Sequence, residues 1–186
     1  MDWLIEAARA IGTAEMLVLA LAAAASAALA AEAAEWTSAL LGALEQTAGA
    51  SKTAYYSSQL PAMLRTALAA GDPVLAKRLA NGLEPRYPLD EHALCAARAQ
   101  LAEHACDDAN AATLYAEAAV RWREFGNVPE RAHALLGQAR CLLALGRPGA
   151  EQPLREARDL FAAMGYKPAL AETEALLEQT AAAPTS

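Results

Sequence analysis

The chain has 186 residues, more than a quarter of them alanine, with 5% aromatic and 20% charged residues. That length is enough for one domain with a real core or for one short helical array. The excess of the best helix former over Val, Ile and Thr argues against a sheet protein, and a formal net charge of −7 argues against a nucleic-acid surface, which needs clustered Lys and Arg.

The first fifty residues carry one basic side chain, Arg9, against Asp2, Glu6, Glu15, Glu32, Glu35 and Glu45. A DNA-reading helix-turn-helix there would need a basic face. Trp3, Leu4, Ala7, Ala8 and Ile11 recur at helical spacing, so 2–11 is predicted as a short helix closed by Gly12. Thr13 is placed to cap a second helix from Ala14 to Ala30. Its run Met16–Ala31 is uncharged, but a signal peptide wants a positive flank and acidic residues precede it. A spanning helix wants roughly 20 strongly apolar residues. The segment is therefore expected to be a buried helix in a helical stack, and the protein cytoplasmic.

No Gly or Pro marks the turn expected between Ala31 and Ala34, ahead of a helix carrying Trp36, Leu40, Leu41 and Leu44 as far as Gly49. The next, over Tyr55–Ala70, contains Pro61. An internal proline costs ~3 kcal/mol unless it lies in the first turn, so the helix is expected either to start near Ser58 or to kink. Gly71-Asp72-Pro73 then ends one helix, caps the next and opens it; that fifth helix is expected to reach Leu83. Asp90 is predicted to cap a helix from Glu91 to Ala105. Asp107 or Asp108 opens the following one, whose Ala111, Leu114, Tyr115, Ala118 and Trp122 share a face. Asn127 with Glu130 three residues on forms a capping-box-like start for Ala132, Leu135, Leu136, Ala139, Leu142 and Leu143. After Gly146-Arg147-Pro148-Gly149 come a helix over Glu151–Met164 and a last one from Lys167-Pro168 to Gln179, with 181–186 as a disordered tail. The fold class is all-α, with about ten helices.

Candidate chemistry is sparse. Cys95, Cys106 and Cys141 are odd in number and contain no C-x-x-C pair, which suits buried thiols in a reducing compartment. His92 with Cys95 and His104 with Cys106 do not supply four converging metal ligands. His133 and Cys141 are eight apart on one helix, about 12 Å by helical rise, too far for a nucleophile pair. Trp122, Phe125 and Tyr166 sit near turns and are expected to close the core. No catalytic residue, metal site or cofactor is expected.

The turns at Gly71, Cys106 and Gly146 recur at 35 and 40 residues, and apolar residues follow at similar offsets: Ala76, Ala80 and Leu83; Ala111, Tyr115 and Ala118; Leu154 and Ala157. This pattern resembles the tetratricopeptide repeat, a unit of about 34 residues made of two antiparallel helices. The family's small-residue positions map onto Ala99, Ala111 and Ala118, and onto Gly71, Ala76 and Pro88 in the preceding unit. Cys95 and Ala102 stand where the family has bulky aromatics, and Cys106 replaces the turn glycine. The wording from Leu114 to Leu176 is similar to the C-terminal helical-repeat region of large actinobacterial regulators with cyclase, signalling-ATPase or helix-turn-helix domains. None of those upstream domains, and no GxxxxGK[ST] phosphate loop, is in this chain, so the resemblance transfers no activity. It implies a right-handed superhelical stack of helix pairs, with degenerate N-terminal helices over 1–50 and repeats over 51–180.

In such a stack the first helix of each pair lines the concave side. Registering the repeats on their turns places Arg65, Gln100 and Arg140 at one groove position, with Ser58 and His133 one face earlier. Two arginines in an acidic protein suit an extended peptide bearing a carboxylate. The expected function is a non-catalytic scaffold that binds a protein or peptide, as the sensory or interaction region of a signalling or transcription regulator. The alternatives are a small-molecule-sensing helical domain and a membrane-anchored repeat protein using 16–31. An array cut from a longer one exposes an apolar end face, so self-association through the N-terminal helices is a further expectation.

Overall fold

The computed structural model describes residues 13–182. Among them are nine α-helices and no strand: α1 (Ala14–Ala30), α2 (Ala34–Glu45), α3 (Ala54–Ala69), α4 (Pro73–Asn81), α5 (Pro88–His104), α6 (Asp108–Phe125), α7 (Val128–Ala144), α8 (Glu151–Met164) and α9 (Lys167–Ala182). The helix predicted over 2–11 and the tail over 183–186 lie outside the described residues, while Ala181 and Ala182 belong to α9. Among the described residues no helix is long and apolar enough to cross a membrane. The chain divides into two compact units, Met1–Ala97 and Arg98–Ser186. The division falls within α5, not at the end of the alanine-rich segment.

In the first unit α1 packs on α2 and α3, and α4 on α3 and α2. Leu17, Val18 and Leu21 of α1, Leu41 and Leu44 of α2, Leu60 and Leu64 of α3, and Leu75 and Leu79 of α4 are buried together, each worth about 1.5–3 kcal/mol of burial. Two polar contacts fix how the helices meet. The Tyr56 hydroxyl donates to the Leu79 carbonyl at 2.8 Å, and Arg78 donates to both oxygens of Glu45, at 2.8 and 3.1 Å.

The boundaries follow capping chemistry. Asp72 accepts from the Leu75 N–H at 2.9 Å, and Pro73 opens α4 as expected. The start of α5 differs from expectation, while α3 begins at Ala54, one residue from the predicted Tyr55, and not at the alternative near Ser58. Thr53, not Ser58, caps α3 by accepting from the Tyr56 N–H at 3.1 Å, which carries Pro61 well into the helix. Pro61 is buried between Leu60 and Met63, which are also buried, and that burial offsets the lost backbone bond. Asp90 does not precede its helix: α5 begins at Pro88, and the Asp90 carboxylate reaches back to accept from the N–H groups of Arg86 and Tyr87 at 2.8 and 2.9 Å.

α1 is not buried all round, as a helix inside a stack would be. Leu17, Val18, Leu21, Ala22 and Ala25 face the core, while Met16 and Leu19 are exposed.

In the second unit α7 packs on α6, α8 and α9, and α8 on α9. Gly126, with φ 84°, turns α6 into α7, and its N–H and that of Asn127 both bond to the Trp122 carbonyl at 3.0 Å. Asn127 then accepts from the Glu130 N–H at 3.1 Å. Trp122, Phe161 and Leu136 are fully buried. Phe125 and Tyr166, expected in the core, are instead about half exposed, with Phe125 edge-on to Trp122.

Two turns put a non-glycine residue in the left-handed region. Cys106 (φ 59°) lies in the turn after α5, and Glu32 (φ 58°) in the turn after α1. An L-residue pays roughly 1–2 kcal/mol there, so Cys106→Gly and Glu32→Gly should each raise stability by up to about 1 kcal/mol once the flexibility glycine adds to the unfolded chain is subtracted. Urea titrations of the two variants check this.

Candidate functional site

The densest polar cluster in the second unit forms around Arg140, on the central helix α7. Its Nε donates to Glu103 Oε1 at 2.7 Å and its Nη2 to Glu103 Oε2 at 2.9 Å. The remaining nitrogen, Nη1, donates to Glu172 Oε1 on α9 at 2.9 Å. Glu103 takes a third donor, the Tyr115 hydroxyl, at 2.5 Å. One carboxylate thus joins α5, α6 and α7, and the fork-on-fork geometry is the strongest form of a charge-assisted hydrogen bond.

The packing beneath the cluster is tight. Tyr115 is buried, and its ring lies over Gly137 in the middle of α7. A Cβ on Gly137 would fall 2.6 and 2.7 Å from Tyr115 Cε1 and Cε2, and closer still to Cζ. The absence of a side chain at 137 is what lets the tyrosine reach Glu103.

The electrostatics follow. Burial works against the charge on Arg140, but the hydrogen bonds and charge of Glu103 outweigh it and push its pKa up. Burial, then the Glu103 charge, push the Tyr115 phenol well above its usual range. Burial and the charges of Glu103 and Asp108 raise the Cys141 thiol to about 12, so it is not a thiolate at neutral pH and lacks nucleophilic character.

Arg140 is half-exposed and ion-paired. Gln100 is buried, with 5% of its surface exposed, so it does not present the outward groove side chain that the repeat register assigns to it. His133 packs edge-on against Phe161 and Tyr166, ring centroids at 5.0 and 5.6 Å. Ser58 and Arg65 lie on α3 in the first unit, half-buried, and the Ser58 hydroxyl donates back to the Tyr55 carbonyl at 2.8 Å. Cys95 and Cys141 are buried and in no disulfide, but Cys106 is exposed rather than buried. Among the described residues, no group of three or more His, Cys, Asp or Glu is arranged to hold a metal ion. Sequence reasoning missed Glu103, Tyr115 and Gly137 as a set. The one available signal was a glycine inside an otherwise strong helix, which costs about 1 kcal/mol and so calls for a packing reason.

In the first unit, Asp90 anchors a second polar knot. It is buried, and besides the two backbone donors it accepts a short hydrogen bond from Ser57 Oγ. Burial alone would raise its pKa, but these donors outweigh it and hold the carboxyl below its usual range. The adjoining cavity, lined by Lys52, Ser57, Tyr87 and Asp90 among others, is only about 100 Å³, well short of the 300–1,000 Å³ of an ordinary small-molecule site. A carboxylate with a depressed folded pKa contributes stability above the ordinary Asp value near 4 and loses it as pH falls through the folded value. Asp90→Asn should therefore cost about 1–3 kcal/mol at pH 7, and its deficit against the parent should shrink below about pH 4. Thermal melts of both proteins at pH 7 and pH 3 test this.

No protein-family model matches the sequence, and no curated protein matches it.

Proposed function

We propose that this chain is a non-catalytic scaffold of tetratricopeptide-like helix pairs that captures a protein or peptide partner, as the sensory or interaction region of a signalling regulator. Consecutive helices packed on their neighbours and turns that recur in the sequence support the repeat reading. Glu103 and Tyr56 use their polar groups to join helices, which favours recognition at the surface over chemistry inside.

The observation that carries the proposal is the division of labour at Arg140. Two of its nitrogens are committed to Glu103, the better buried partner, whereas Nη1 is held only by Glu172, whose side chain is 46% exposed. An exposed ion pair is worth about 0–1 kcal/mol, so a partner's carboxylate can take the place of Glu172 without disturbing the Glu103 clamp. His133, seven residues earlier on the same helix, and the exposed Tyr166 beside it supply aromatic surface along the path of an extended chain.

A test uses two arrays of random decapeptides, one ending in free carboxylates and one in amides. The intact protein should retain the carboxylate array preferentially, and Glu172→Ala should increase that preference several-fold. Equal retention of both arrays by the parent and by Glu172→Ala would overturn the reading.

A further inference from the structure

We infer that the outward face of α1 is a docking surface for a basic amphipathic helix, a site separate from the Arg140 cluster. Met16, Leu19, Ala20, Ala23, Ala27 and Ala30 are all exposed and recur at three and four positions, so they share one face. The opposite face, with Leu17, Val18 and Leu21, is the one buried in the unit. The outward face has no charged residue from Met16 to Ala31. Its alanines leave room for a second helix to approach at the short end of the usual 8–10 Å interaxial range.

Charge decides what fits there. Between Thr13 and Ser51 the chain has no Lys, Arg or His and four acidic residues: Glu15, Glu32, Glu35 and Glu45. Glu45 is committed to Arg78. The other three are exposed: Glu15 precedes the apolar face, Glu32 follows it, and Glu35 lies in the first turn of α2. Glu15 and Glu32 are seventeen residues apart, roughly 25 Å along the helix. The complementary ligand is a helix of about that length with Leu, Met or Ala on one face and Lys or Arg near both ends. A second copy of this chain would bring the same carboxylates against themselves, and an anionic membrane surface would meet the same repulsion.

The probe is a labelled amphipathic 18-residue peptide of Leu, Ala and Lys with lysines at both ends, and its counterpart with Glu for Lys. Titration against the full chain by fluorescence anisotropy should show the Lys peptide binding at least tenfold more tightly than the Glu peptide, weakening as salt rises. Leu19→Lys, at an exposed position, should reduce that binding at least tenfold with the helical circular dichroism unchanged. Glu32→Gln with Glu35→Gln should reduce it several-fold. Equal binding of the two peptides, no binding, or binding indifferent to Leu19→Lys would overturn the assignment. So would a dimer in sedimentation that Leu19→Lys dissociates, since that outcome gives the face to a second copy.

Discussion

Gly137→Ala should destabilise the protein by about 1–3 kcal/mol, the usual cost of overpacking a tight interior, although alanine is the better helix former by about 1 kcal/mol. The sign is decided by space. The added methyl meets three carbons of the buried Tyr115 ring at distances that real Cβ atoms do not adopt, and the ring sits where its hydroxyl reaches Glu103 at 2.5 Å. It can move away only by giving up that bond. Differential scanning calorimetry of the variant should show a fall in Tm of several degrees. Gly42 is a control on α2, where a Cβ meets nothing within 4 Å: Gly42→Ala should instead stabilise by up to about 1 kcal/mol. If both substitutions stabilise, Tyr115 does not pack over α7 as described.

Glu103→Ala should be the most damaging single change within the Arg140 cluster. It removes the acceptor of three hydrogen bonds at once, leaving the Tyr115 hydroxyl buried and Arg140 with only Glu172. Breaking a fully buried pair costs about 3–5 kcal/mol because a charge is left uncompensated. Here the Arg140 side chain keeps 36% of its exposure, so water recovers part of that, and about 2–3 kcal/mol is expected. The double variant Glu103→Met with Arg140→Met should be less destabilised than Glu103→Ala, since an apolar pair leaves no orphan charge. Urea titrations of the two proteins separate a clamp from a bystander.

What the sequence made legible is local. Asp72-Pro73 and Asn127 announce helix starts because a short polar side chain must accept an orphan N–H there, and α1 and α8 fall on their expected residues. The turn expected at Cys106 is present, and Cys106 takes a positive φ there. The turn after α1 carried no signal because its left-handed residue is Glu32, a type that turn chemistry does not favour. Pro61 left the start near Ser58 open because propensity weighs a proline against its own helix only, whereas here Thr53 sets the start and the proline is buried inside.

The candidate site was legible one residue at a time and not as a set. Arg140 was singled out from the repeat register, but Glu103 lies 37 positions away and Glu172 lies 32 away. No helical periodicity links residues on different helices at such separations. The same register places Gln100 outward, yet it is buried: an error of one residue in register turns a helix by about 100°.

Arg140 uses its Nε and Nη2 to hold helices together, whereas Nη1 reaches the more exposed Glu172. The direct measurement is solvent exchange of the Arg140 Nε–H by ¹⁵N-resolved NMR at neutral pH. The Nε–H should exchange slowly in the parent, stay protected in Glu172→Ala and exchange rapidly in Glu103→Ala. An Nε–H that exchanges as fast as that of free arginine in the parent, or one indifferent to the loss of Glu103, would contradict that role for Arg140.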